Sequence, residues 1–212
     1  MSDSVPVMTV AAARALYEGG GGGHDFDHVL RVLALAERIA QAEGANLEIV
    51  RTAALLHDVG ESQGRADHHL RSAQMARQLL AAAPPPFVDG VAHAIAAHRF
   101  RVPPEPATLE AQVISDADKL DAIGAIGVAR VFAYAGHRGT PLWRLPWRAV
   151  AATPAQDPPA GGAYTPVHEF VYKLDRIPER LYTRTARAIA EERRAFMRAF
   201  FERLDVEATG QD

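Results

Sequence analysis

No cysteine occurs in the 212 residues. That excludes disulfides, zinc sites built on thiolate, and thiol nucleophiles. No run is long and apolar enough to span a bilayer. The start of the chain carries Asp3 and no basic segment before its short apolar stretch, which argues against a secretory signal. A cytoplasmic protein is the simplest expectation. Positive charge is not in excess either: 23 Lys and Arg stand against 26 Asp and Glu, a formal net charge of -3. General attraction to nucleic acid or to anionic membranes is therefore not expected, although a local basic pocket stays compatible with that balance. Alternating strand patterns, internal repeats and a clear domain boundary are also missing. No Gly-Lys-Ser/Thr follows the five glycines from Gly19 to Gly23, so they are not a P-loop but a connector.

Helical periodicity is present instead. Val5 to Glu18 is alanine-rich and reads as a first helix. From Asp27 to about Glu43, Val29, Val32, Leu33, Ala36, Ile39 and Ala40 recur at helical spacing. Gly44 closes that helix, and Asn46 caps the next, which carries Leu47, Val50, Ala54 and Leu55 inward. Glu61 to Asp67 reads as a loop. His69 to Ala83 is helical, stopped by Pro84-Pro85-Pro86, and Phe87 to His98 is a fifth helix. Leu109 to Ala135 holds two more, with Val113, Ile114, Leu120, Ile123 and Ile126 as core and Gly124 and Gly127 as points of close packing. Gly136 to Thr165 reads as a long loop, either a lid over a pocket or a segment without fixed structure. Pro166 to Leu174 is a short helix. Pro178 opens the last one, with Leu181, Ile189, Phe196 and Phe200 inward. The expected fold is all-α, one domain over 1–212, a bundle of roughly seven to nine helices.

The chemistry gathers at Ala54-Leu55-Leu56-His57-Asp58. An apolar run belongs in a core, and an imidazole and a carboxylate at its end need a partner there. His28 at the start of one helix and Asp118 near the start of a later one supply two more groups of the same kind. Two imidazoles and two carboxylates make a mixed nitrogen-oxygen shell that suits Mn, Fe, Co, Ni or Mg, with Zn also open. The rival is a buried polar network without metal.

His28, then His57-Asp58, then Asp118 resembles the H…HD…D pattern of the HD-domain metal-dependent phosphohydrolases. The stretches His24-Asp25-Phe26-Asp27-His28 and Asp116 to Gly127 are similar to the stand-alone YedJ-like bacterial branch, over about residues 20 to 203. The resemblance implies an all-helical fold, a bound divalent metal held by His28, His57, Asp58 and Asp118, and hydrolysis of phosphate esters or anhydrides, most of all in nucleotides such as (deoxy)nucleoside triphosphates. It departs from the family at Gly60 to Gly64.

A divalent ion acidifies a bound water and polarises a phosphoryl oxygen. Glu61, one turn past the ligand pair, is the candidate general acid or base. Asp121, three residues after Asp118, is a candidate to orient a ligand or the water. Arg31, Arg99 and Lys119 are candidates for phosphate, against the alternative of exposed charge. His98 is a candidate for phosphate or a second metal, and His93 reads as a helix-surface residue. His24 and Asp25 read as capping or supporting groups. His68 and His69 read as solvent-exposed loop residues. Trp143 and Trp147 either stack on a base or pin their loop. The alternative function is a regulatory module that binds a nucleotide or metal without turnover. No nucleic-acid or membrane partner is expected, and the oligomeric state is open.

Overall fold

The computed structural model describes residues 8–18, 26–64, 66–99, 102–153 and 163–211. The glycine connector, His24, Asp25, Asp3 and residues 154–162 of the expected long loop lie outside them. Every regular element among the described residues is helical, as the periodicity requires, so the all-α class holds for them. No helix among them is long and apolar enough to cross a membrane.

The described chain forms two compact units. The first comprises the residues up to Asp118 together with Tyr182–Ala186. It holds α1 (Val10–Glu18), α2 (Phe26–Glu43), α3 (Leu47–Leu56), α4 (His68–Leu79), α5 (Pro85–Ala96) and the Leu109–Asp118 part of α6 (Leu109–Asp121). A short 3-10 turn, Glu61–Gln63, precedes α4. Gly44 ends α2 at φ 78°, a left-handed conformation that costs glycine least. Asn46 then caps α3, its side chain accepting from Glu48 N at 3.1 Å and Ile49 N at 3.2 Å. Helix α3 packs on α2 and on α5. Its crossing with α5 is tight, because a Cβ at Gly90 would lie 2.9 Å from Ile49 Cδ1. Val32, Ile39, Val50, Leu56, Ile95 and Ile114 are fully buried in this unit. Asp116 is buried too and stays paired. Its carboxylate accepts from Tyr182 N, from Thr183 N and from Thr183 Oγ1, the last two at 2.8 Å.

The second unit comprises Lys119–Leu181 and the residues from Arg187 onward. It holds α7 (Ala125–Arg138), α8 (Trp147–Ala151), α9 (Pro166–Tyr172), a 3-10 segment (Leu174–Arg180) and most of α10 (Arg184–Ala208). A Cβ at Gly127 would collide with the Ala122 carbonyl oxygen, so the close packing expected there is real. Phe170 stacks on Phe201 with centroids 4.3 Å apart.

Several expectations need correction. His68 and His69 are helical and buried, not exposed loop, because α4 begins one residue earlier and packs on α5. Pro85 and Pro86 open α5 rather than only stopping α4, since a proline in a first helical turn loses no bond. Gly124 precedes α7 at φ 80° and is not inside a helix. Helix α7 runs past Ala135 to Arg138, and α8 lies within the segment expected to be loop. Pro178 sits inside the 3-10 segment, and the last helix starts at Arg184. Ile126 and Phe196 face solvent, at 38% and 50% exposure, while Leu181 and Ile189 are buried as expected. The two tryptophans pin their segment: Asp205 accepts from Trp143 Nε1 at 2.7 Å and from Trp147 N at 2.9 Å.

Candidate metal centre

Helices α2 to α6 each deliver a polar side chain to one place in the first unit. His28 comes from the first turn of α2, and His57 and Asp58 follow the last turn of α3. His68 opens α4, His98 follows α5, and Asp118 lies on α6. Four imidazole Nε2 atoms surround the Asp58 carboxylate. His57 and His28 stand 3.4 and 3.8 Å from Oδ2, and His68 and His98 stand 3.2 and 3.6 Å from Oδ1. His28 Nε2 also lies 3.5 Å from Asp118 Oδ1.

The tautomers follow from the backbone. His57 Nδ1 lies 2.8 Å from the Ala54 carbonyl, and His98 Nδ1 lies 2.6 Å from the Ile95 carbonyl. A carbonyl only accepts, so each Nδ1 carries the proton and each neutral ring turns a bare Nε2 lone pair inward. Ser115 Oγ donates to the His98 carbonyl at 3.1 Å and holds that residue from α6.

Imidazole nitrogens then face each other at 3.3 Å (His28 and His57) and at 3.4 Å (His68 and His98). Two lone pairs at that separation repel unless a cation or a proton lies between them. Ligand atoms about 2.1 Å from one ion stand about 3.0 to 3.4 Å apart for bond angles between about 90° and 109°. The two imidazole pairs, at 3.3 and 3.4 Å, fall in that range, and the wider 3.8 and 3.6 Å of His28 and His98 from the Asp58 oxygens correspond to more open angles. Among the described residues Asp58 Oδ1 is buried without a hydrogen-bond partner, an orphan that a cation satisfies. The atoms form two overlapping groups, His28/His57/Asp58 and Asp58/His68/His98, with Asp58 common to both. This is a divalent-metal-binding His/Asp cluster.

The HD domain family pattern matches residues 25–123. Over 195 residues the chain is 35% identical to YpgQ of Bacillus subtilis, covering 90% of this chain and 87% of that protein. The chain belongs to the HD superfamily. The structure of YpgQ in complex with ADP has a TM-score of 0.71 and 32% identity, covering 93% of this chain and 94% of that one. An HD-superfamily hydrolase from Bacillus thuringiensis has a TM-score of 0.74 and 28% identity, with 95% of each chain covered.

In this HD hydrolase the electrostatics follow from burial and from charge of opposite sign. Burial opposes ionisation of Asp58, but His57, then His68 and His98, hold its carboxyl well below the usual range. Burial likewise works against protonation of His57, and the Asp58 charge outweighs it, so His57 is raised. His98 is pushed down to about 4, chiefly by burial and then by His57. Asp118 is lowered to about 2: burial opposes this, and the hydrogen bond from His28, with the positive charge that His98, His28 and His57 carry when protonated, prevails. Burial, and after it the Asp58 charge, raise the Tyr17 phenol, whose hydroxyl donates to the Leu55 carbonyl at 3.2 Å.

The other residues singled out in the sequence divide clearly. His28, His57, Asp58 and Asp118 are brought together, and His98 joins them. Glu61 is buried on the 3-10 turn, its N–H donating to the Asp58 carbonyl at 2.9 Å. Arg31 lies one turn after His28, and Arg99 follows His98; both are half-buried. Lys119 and Asp121 are buried in the second unit, where Arg130 lies 3.2 Å from the Asp121 carboxylate. His93 lies on α5 and its Nε2 accepts from Ala107 N at 3.1 Å, tying the segment before α6 to that helix. Sequence reasoning missed His68. Its neighbours are polar and give no inward periodicity, so the only available signal was a second histidine-rich stretch shortly after the His-Asp pair.

Proposed function

We propose that this HD hydrolase cleaves a phosphate ester or phosphoanhydride bond of a nucleotide, such as a (deoxy)nucleoside triphosphate. The observation that carries the hydrolytic part is the ring of four inward Nε2 atoms around Asp58. The nucleotide class is supported by the structure of YpgQ with ADP. His28, His57, Asp58 and Asp118 hold one ion, and Asp58, His68 and His98 hold a second. A divalent ion bound there supplies Lewis acidity toward a phosphoryl oxygen and lowers the pKa of water.

The protein's own groups do the rest. The Ala54 and Ile95 carbonyls fix the His57 and His98 rings, so the ligand atoms need no reorganisation. Glu61 holds or releases the proton at its carboxylate as general base or acid. Arg31 and Arg99 neutralise phosphate charge in the first unit; Lys119, in the second, is a candidate for the same task, and Asp121 acts through Arg130 rather than as a free base. Residues about 20 to 203 work as one HD-type domain in the cytoplasm, within the YedJ-like branch.

Purified protein loaded with Mn and given a panel of nucleotides and phosphomonoesters tests this, with products resolved as phosphate or pyrophosphate. Turnover of at least one nucleotide is expected. A folded, Mn-loaded chain that releases neither product contradicts the proposal. Tight nucleotide binding without release moves the reading to a regulatory module.

A further inference from the structure

Gly60 marks the nearest approach of α4 to the loop that follows the His57-Asp58 pair. A Cβ there would lie 2.9 Å from Arg71 Cβ and 2.9 Å from Ser72 N. Those two helical residues also take both backbone groups of Gly60. Its N–H donates to the buried Ser72 Oγ at 2.9 Å, and its carbonyl accepts from Arg71 Nε at 3.3 Å. The Arg71 guanidinium reaches further along the loop: Nη1 donates to the Ala66 carbonyl at 2.6 Å, and Nη2 donates to the Gly64 carbonyl. One planar group thus gathers three main-chain carbonyls between residues 60 and 66.

Ser62, Gln63, Gly64 and Ala66 are exposed, and Glu61 turns inward. At its far end Asp67 takes a left-handed conformation, φ 53°, before the chain enters α4. His68 follows at once, three residues before Arg71 and so on the same side of the helix. A guanidinium with donors in a fixed fork suits this task, and a lysine ammonium does not.

We propose that Arg71 is a positioning residue of the metal centre: it ties Gly60, Gly64 and Ala66 to α4 and thereby fixes Glu61 and His68 about Asp58. The proposal rests on the reading above in taking Asp58 and His68 as cation ligands.

The test uses the full chain with Arg71→Ala and Arg71→Lys. The first readout is the ring nitrogen resonances of His68 in metal-free protein, with exposed His137 as the internal reference. The second is a Mn titration. Arg71→Ala is expected to displace the His68 signals and leave those of His137 in place. It is expected to weaken the second Mn equivalent about 10- to 100-fold, the range for groups that orient metal ligands. Arg71→Lys restores neither. His68 signals unmoved in both variants, or full recovery with lysine, overturns the proposal. Should wild-type protein take up only one Mn, the two-ion reading fails, and the ring signals still decide the role of Arg71. Should Arg71→Ala not fold, Ser72→Ala removes the other anchor of Gly60 and is expected to displace the same signals.

Discussion

Asp58 is the residue whose loss the centre tolerates least, because its two oxygens belong to both groups of ligand atoms. Asp58→Asn is expected to remove bound Mn altogether and to lower hydrolysis about 100-fold or more, checked by elemental analysis beside a rate assay. His68→Ala is expected to keep the ion at His28 and His57 and to lose the other. Gly60→Ala places a methyl 2.9 Å from Arg71 Cβ and is expected to cost about 1 to 3 kcal/mol in urea unfolding. At this scale the His57-Asp58 pair was legible because a carboxylate and an imidazole ending an apolar run demand a partner. His68 was not, because its burial comes from packing of α4 against α5, and local polarity says nothing of a helix that arrives from elsewhere in the chain.

Helix ends carry the next scale. Thr165 and His168 form a capping box at α9, in which His168 Nδ1 accepts from Thr165 N at 3.2 Å. An accepting Nδ1 is unprotonated, and burial lowers the His168 pKa from its ordinary 6.5. A histidine lowered by folding contributes stability fully above the unfolded value and loses it as pH falls through the folded one. Protection factors of the α9 amides, with the intrinsic pH dependence of exchange divided out, are therefore expected to fall below about pH 6.5, before the rest of the second unit responds. Protection in α9 that stays constant across that range contradicts the assignment. Asp116→Ala strips three donors of Tyr182 and Thr183 of their acceptor and is expected to cost roughly 3 kcal/mol, read by thermal and urea unfolding. The caps that depend on one residue's chemistry, Gly44 and Asn46, could be read from the sequence. The start of α10 could not: a proline suited to a first turn also fits a 3-10 segment, and Pro178 lies in one. Phe196 reads as an inward residue in the sequence, and the helix turns it to solvent.

For the molecule as a whole, the all-α class was legible because helical periodicity runs through nearly every segment and no stretch alternates. The order of the ligands along the chain carried the family. What the sequence hid is the sharing of Asp58 between two sets of imidazoles, since it depends on where four helix termini meet. The central claim is that these termini meet around a divalent cation. Crystals grown with Mn and measured at the Mn absorption edge test it directly. An anomalous peak is expected within about 2.3 Å of His28 Nε2, His57 Nε2 and Asp58 Oδ2. A map with no peak there, or with Mn only on surface carboxylates, would contradict it.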